Sequence, residues 1–340
     1  MVTIDDIARE AGVSSTTVSN VILGRTNRVS RETTETINRI IRERGYVPNM
    51  SARALVSRTS RVVAIINHLD PKKSGNFMED PFHNAFIGAI EQTLRESGYY
   101  LMLRTVGNAE DLTSFLRNWN VDGLFMTGLF QEDDLYETLL SAGRPVVLID
   151  SYLADYSRMV NVGLQDFEGA YLATEYLVRN NHRRIAFAGP PIRLGGVVEQ
   201  RLKGYRQALK DASLPFDETL VFEREFSTHG TMELGAKLAL RHDITALFAT
   251  ADIMAAGIMS GLQQAGRRVP EDFSIVGFDD INWCRMTNPM LTSVHQDAGR
   301  KGEIAADYMS KLLEGKPVPA RSVILPVRLV ERESVRMLLE

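Results

Sequence analysis

Two groups of side chains in this 340-residue chain have the types and spacing to do chemistry. The first is Ser15, Thr16, Ser19 and Asn20, short polar residues interleaved with Val18, Val21 and Ile22. If the three apolar residues point inward on a short helix, the polar ones project outward, at a size that suits the base edges of a DNA major groove. The second group is Asp150, Asp252 and Asp279, each following a short apolar run, with Arg201 and Phe82 as further members. A carboxylate or a guanidinium can bridge two adjacent hydroxyls, and an aromatic face can cover the apolar side of a sugar ring. A strand-end Asp is also a common helix cap, so each of the three carries that second reading.

The elements that must position the first group are short and well punctuated. Thr3 caps a helix whose apolar face is Ile4, Ile7 and Ala8, with Asp6 favouring its positive end, and Gly12 stops it. Ser14 caps a second helix that ends at Gly24, and Ser30 caps a third whose Ile37, Ile40 and Ile41 complete a small core before Gly45. The short turn after Gly12 forces the first two helices to cross steeply, as a helix-turn-helix requires. Three small amphipathic helices are also compatible with a mere packing or protein-docking unit. Past Pro48, Asn49 to Arg58 read as a helix too short to be stable without a partner.

From Arg61 onward, short β-branched runs alternate with longer helical segments. Strands are predicted at 61–66, 99–103, 121–126, 145–149, 184–188, 245–249 and 273–277, and helices at 86–97, 167–180, 198–212, 229–241 and 252–265. The fold class is therefore α/β: parallel, doubly wound sheets covered by helices on both faces, with enough units for two lobes. Ligands of such lobes bind beyond the carboxyl ends of strands, which is where Asp150, Asp252, Asp279 and Asp280 fall.

Charge separates the two parts. Residues 1–60 hold nine Arg against six acidic residues, a balance of +3, while the remaining 280 carry 30 basic and 37 acidic residues, a balance of −7. The basic part is the part suited to phosphate, and Arg25, Arg28, Arg31, Arg53 and Arg58 are candidates for backbone contacts. With 44% hydrophobic residues the chain can bury more than one core. It shows neither a signal sequence nor an apolar run of membrane-spanning length, so a cytoplasmic protein is expected. The single cysteine, Cys284, excludes an internal disulfide and a cysteine-clustered zinc site. The six histidines lack metal-ligand spacing, and no nucleophile motif, P-loop or Gly-x-Gly-x-x-Gly follows a strand, so neither metal, cofactor nor catalysis is expected. Gly195-Gly196 reads as a flexible loop.

The first sixty residues resemble the DNA-binding and hinge region of the lactose-repressor/galactose-repressor (LacI/GalR) family. The likeness rests on Thr3 to Ala8, Ala11-Gly12-Val13-Ser14, Thr17-Val18-Ser19, Val29-Ser30, Gly45-Tyr46, Pro48-Asn49, Ala52-Arg53 and Leu55. In the core, Arg201 with Gly204, Val269-Pro270, Ser274 to Asp280, Leu291 to Val294 and Leu325 to Glu331 resemble the family's effector-binding module, which is similar to the two-lobed periplasmic sugar-binding proteins. The resemblance implies a helix-turn-helix domain over 1–48, a hinge helix and linker over 49–60, and an effector-binding core over 61–340. Within that core the expected lobes are about 61–158 with 290–319, and about 159–289 with 320–340.

Implied DNA contacts in the head are Thr3, Ser14, Ser15, Thr16, Thr17, Ser19, Asn20, Arg25, Asn27, Ser30 and Tyr46; in the hinge they are Asn49, Ala52, Arg53 and Leu55. Leu55 is the residue that would wedge between base pairs and kink the duplex. Implied effector contacts are Phe82, in a loop, with Asp150, Arg201, Asp252 and Asp279. The family's frequent Asn-Asp pair reads Ala251-Asp252 here, Asp166-Phe167 replaces Asp-Asn, and the stretch 67–79 is longer than usual. The expected protein is a homodimeric transcription regulator, most simply a repressor, that binds a near-palindromic operator and responds to a small effector, a sugar or sugar derivative. A non-sugar metabolite is the alternative effector; a sugar-binding protein with no DNA role would leave residues 1–60 without use. Only Ser334 to Glu340 follow the last strand, too short a stretch for a tetramer-forming helical tail, and Trp283, Cys284 and Met286 are candidates for the dimer face.

Asn20 stands where the family usually has Arg. Arg suits the O6 and N7 acceptors of guanine, whereas Asn matches the N6 donor and N7 acceptor of adenine. The half-site base facing Asn20 is therefore expected to be adenine. Asn20→Arg should move that preference toward guanine by a discrimination on the order of 1–3 kcal/mol. Selection of sites from random duplexes with both proteins checks this, and an unchanged base at every half-site position would remove Asn20 from direct readout.

Overall fold

A computed structural model describes residues 2–46, 59–68, 77–130, 133–153, 155–224 and 227–339. The chain divides into two units, residues 1–61 and 62–340, which are taken separately below. The expected hinge residues Asn49, Ala52, Arg53 and Leu55 lie outside the described residues.

The described residues of the first unit form three α-helices around a small core. Thr3 and Asp6 form a capping box at the start of α1 (Ile4–Ala11), and Gly12 closes that helix at φ 67°, a left-handed value that favours glycine. Ser14 and Ser30 accept from the backbone N–H groups of Thr17 and Thr33 and so cap α2 (Ser15–Ile22) and α3 (Arg31–Glu43). Each such cap is worth about 1 kcal/mol, a large share of the stability available to so small a unit. Ile7, Ala8, Val18, Val21, Ile37 and Ile40 are buried together, with Ile4, Ile22, Ile41 and Tyr46 packed at the margin.

The second unit holds two six-stranded sheets. The first contains β1 (Val62–His68), β2 (Tyr100–Val106), β3 (Gly123–Thr127), β4 (Val146–Ile149), β5 (Val160–Leu164) and β11 (Ser322–Leu325), in the order β11-β5-β4-β3-β1-β2. The second contains β6 (Ile185–Gly189), β7 (Val221–Glu223), β8 (Ala246–Ala249), β9 (Ser274–Asp279), β10 (Thr292–His295) and β12 (Arg328–Val330), in the order β12-β10-β9-β8-β6-β7. Every pairing is parallel except β10 with β12. The helices are α4 (Pro81–Glu96), α5 (Ala109–Asn118), α6 (Leu135–Ser141), α7 (Asp166–Arg179), α8 (Val197–Asp211), α9 (Thr228–Ala239), α10 (Asp252–Gln264) and α11 (Ala298–Leu313). One buried apolar cluster runs from Phe86, Phe125 and Val147 of the first lobe to Phe187, Phe248 and Phe278 of the second.

All three chain crossings between lobes fall one short strand later than the sequence suggests. β5 and β11 belong to the first sheet and β10 to the second, so the chain crosses after Leu164, after His295 and after Leu325. These strands are four or five residues long. Their sheet is decided by main-chain pairing, β11 with β5 and β10 with β9, which no local pattern carries. The first helix of the core also starts earlier than expected, because Asp80 caps it and Pro81 occupies its first position.

Helices α7 and α8 touch along their length, and Gly204 allows this: a Cβ there would sit 2.1 Å from the carbonyl oxygen of Phe167. Gly204→Ala should therefore destabilise the core by roughly 1–3 kcal/mol, because neither backbone can move aside. The gain in helix propensity, at most about 1 kcal/mol, does not offset it. Urea denaturation checks this, and an equal or higher midpoint would show that the two helices are not held at this separation.

Candidate effector cleft and nucleic-acid interface

The ends of β1, β3 and β4 in one lobe and of β6, β8 and β9 in the other line a cavity of about 630 Å³. That lies within the roughly 300–1,000 Å³ usual for small-molecule sites. Phe82, Asp150, Arg201 and Asp279 all line it, and Asp252 does not. Phe82 occupies the first turn of α4 rather than a loop, stacked on Phe86 with ring centroids 6.4 Å apart.

A chain of buried polar contacts forms the floor. Lys301, which is fully buried on α11, donates from Nζ to both Asp150 oxygens at 2.8 and 2.7 Å and to Gln296 Oε1 at 2.9 Å. Gln296 in turn donates from Nε2 to Asp279 at 2.6 Å. Arg201 donates from Nε to Asp166 at 2.8 Å, donates from Nη1 to the carbonyl of Thr250, and stacks 3.5 Å above the ring of Phe278. Asp166 also accepts from the hydroxyl of Tyr152. Lys301, Asp150 and Tyr152 belong to the first lobe; Asp166, Arg201 and Asp279 belong to the second. The floor thus ties the lobes together twice, through Gln296 and through Tyr152.

Burial sets the proton affinities here. It raises the carboxyls of Asp150 and Asp279 above the usual carboxylate range, against the pull of Lys301 on the first and Arg201 on the second. Burial alone would lower Arg201, but the nearby carboxylates of Asp166, Asp279 and Asp150 together outweigh it and hold the guanidinium charged. Burial and the neighbouring Asp166 raise the Tyr152 phenol, so that it stays a donor.

A third tie lies at the rim. Arg193, between β6 and α8, donates to Asp133 at 2.6 Å and lies 3.7 Å over the ring of Phe130, both in the other lobe. Gly196 beside it is not a loose spacer: a Cβ there would come 2.6 Å from the Phe130 ring. The glycine is needed for close approach.

Asp252 is a correction to the expected effector set. Its carboxylate accepts from Ile281 N–H at 3.0 Å, Cys284 Sγ at 3.0 Å and Ser293 Oγ at 2.6 Å, and burial raises its pKa to about 7. It joins the exits of β8 and β9 to Ser293, the second residue of β10, inside one lobe, and it does not line the cavity. Cys284, buried against it, likewise leaves the proposed dimer face, whereas Trp283 and Met286 are exposed.

In the first unit, Thr16, Arg25 and Asn27 are exposed and Ser15, Thr17, Ser19, Asn20 and Tyr46 half-buried. Thr3, Ser14 and Ser30 serve as caps at helix N-termini, where backbone N–H groups and the helix dipole favour phosphate. Ser15 donates its hydroxyl to Asp5 of α1, so its free capacity toward a base is as an acceptor.

Residues 3–49 match the family described as bacterial regulatory proteins, lacI family, and residues 174–335 match the periplasmic binding protein-like domain. The HTH-type transcriptional regulator CelR of Thermobifida fusca is 34% identical over 98% of this chain and 98% of its own length. This chain belongs to the lacI family of bacterial regulatory proteins. The HTH-type transcriptional repressor PurR of Vibrio atlanticus is 32% identical over 99% of this chain and all of its own length. Among solved lacI-family structures, the CelR–cellobiose complex superimposes with a TM-score of 0.71 at 31% identity, covering 98% of this chain and 100% of that one. The Lac repressor dimer bound to operator and the anti-inducer ONPF gives 0.82 at 26% identity, covering 98% and 99%.

Sequence reasoning missed Tyr152, Asp166, Gln296 and Lys301. Lys301 had a detectable signal, since it precedes Ala305, Tyr308 and Met309 on the inward stripe of α11, where a lysine needs an internal partner. Gln296, just past β10, followed the same strand-exit rule as the aspartates. Lys301→Met should cost at most roughly 3–5 kcal/mol, the range for a buried pair left half-broken, and less where Asp150 keeps a path to the cleft. The loss should depend on pH. Unfolded Asp titrates near about 3.9, and without Lys301 the folded pKa rises further above that, so the folded state binds the extra proton and stability falls as pH increases. Urea midpoints from about pH 4 to about pH 8 should diverge steadily from wild type; a deficit independent of pH would mean that Asp150 finds another cation.

Proposed function

We propose that this lacI-family chain is a cytoplasmic transcription repressor that binds a near-palindromic operator as a homodimer, through its helix-turn-helix heads. It acts by binding rather than by catalysis, and a small effector held between the lobes controls it. The Lac repressor was solved as a dimer on operator, which supports the first part. The basic balance of residues 1–60 and the three capped helix N-termini suit phosphate contacts.

For the effector, the carrying observation is the charge pairing in the cleft. The cations Arg201, Lys301 and Arg193 each already face a carboxylate, Asp166, Asp150 and Asp133 respectively. None is spare for a phosphate, whereas carboxylates beside the ring of Phe82 suit hydroxyls and a ring face. This supports an uncharged sugar. A CelR structure contains cellobiose, and a LacI-family regulator of Enterococcus faecium, 27% identical with a TM-score of 0.70, contains ribose. The effector acts through differential affinity for two lobe arrangements.

A panel of neutral sugars and sugar phosphates, scored by thermal shift and by operator gel shift, tests the reading. One or more neutral sugars should raise the melting temperature and alter operator retention, while the phosphates do neither. A response confined to phosphorylated compounds would overturn the assignment of effector class.

A further inference from the structure

Among the described residues, two buried side-chain atoms that line the cleft have no hydrogen-bond partner: Asn67 Nδ2 and Thr250 Oγ1. Asn67 is 4% exposed and Thr250 2%. Buried polar groups in folded proteins are nearly always paired, so an orphan calls for a reason. The amide of Asn67 and the backbone of Thr250 are each held in place by other bonds. Asn67 stands near the carboxyl end of β1, and its Oδ1 accepts from Thr127 Oγ1 at 2.8 Å, which leaves the amide nitrogen pointing its hydrogens elsewhere. Thr250 follows β8; its N–H donates to Ala188 O at 2.8 Å and its carbonyl accepts from Arg201, so its backbone is held from both sides.

The two residues that carry the orphans come from opposite lobes and line one cavity. We propose that they are effector contacts, an amide donor in one lobe and a hydroxyl in the other, that are completed only by a ligand spanning the cleft. The inference rests on the reading of the cleft as the effector site and adds which groups sense it. The ligand it calls for is a polyhydroxyl compound: one oxygen accepts from Asn67 Nδ2, and another hydroxyl donates to or accepts from Thr250 Oγ1. Because the two atoms sit on different lobes, such a ligand favours the arrangement in which both are within reach, which is the differential affinity that a population shift requires. The unpaired state is a stability cost carried by the effector-free protein, as binding sites often carry.

Two variants of the full chain test this. Thr250→Val keeps the shape and removes the orphan hydroxyl; Asn67→Leu combined with Thr127→Val removes the orphan amide without stranding its partner. Melting temperatures are measured without ligand, and affinities by calorimetry for cellobiose, ribose and any neutral sugar that the wild type binds. The effector-free variants should melt higher than wild type by about 2 °C, and each should bind the sugar about tenfold more weakly, a loss of about 1.4 kcal/mol. Melting temperatures that stay level or fall would show the two atoms to be paired in solution, and sugar affinities equal to wild type would show that the ligand does not touch them; either result overturns the inference alone. If no sugar binds the wild type, the reading of the cleft fails and this inference fails with it.

Discussion

Arg201 reaches across from α8 to a carboxylate, Asp166, that begins α7, and the rest of the cleft is arranged around that buried pair. A guanidinium taken out of water needs its donors occupied, and here Asp166, the Thr250 carbonyl and the Phe278 ring occupy three sides. Each partner is fixed by an element the fold cannot easily change: the first crossing between lobes, the exit of β8 and the carboxyl end of β9. Asp166 then draws Tyr152 in from the other lobe. One ion pair therefore positions a cation that lines the cleft and also joins the lobes. A second pair, Lys301 with Asp150, performs the corresponding task on the other side of the floor through Gln296.

These pairs are poor candidates for sources of net stability, because desolvating two charges costs about as much as their attraction returns. What they supply is geometry. A cleft whose charged groups are matched before ligand arrives presents fixed dipoles and no loose counter-charge, and binding then costs less ordering. The same matching restricts which ligands are welcome, since a ligand bringing its own charge must break an existing pair. The rim contact of Arg193 with Asp133 and Phe130 is more exposed, and its ion pair is correspondingly weaker than those of the floor.

Much of this was legible in the sequence, for physical reasons. The caps Thr3, Ser14 and Ser30 act within one turn of chain, so their signal is local and their helices appear as expected. Asp150 and Asp279 follow the rule that ligands gather at strand exits, Arg201 on α8 was marked only by the family resemblance, and the cavity includes all three. The same rule also selected Asp252, because strand-end position does not tell which way a side chain turns; that depends on Cys284 and Ser293, over thirty residues away in sequence. The partner choices of β5, β10 and β11 are non-local in the same sense, as is the relay through Gln296 and Lys301.

The backbone at the strand exits shows how the fold supports its site. Asp150, Asp279 and Asp280 have φ of 49°, 115° and 54°, in the left-handed region that costs an L side chain energy and that glycine would occupy freely. Lys301 holds Asp150, Gln296 holds Asp279, and Arg332 with His295 holds Asp280. Aspartate is among the few side chains that tolerate such a conformation at moderate cost. The hydrogen bonds that secure the charges thus also secure the strained turns, so loosening a floor contact releases strain at a strand exit as well as freeing a side chain. A disturbance in the cleft is in this way passed to the main chain of both lobes, at the two points where β4 and β9 end.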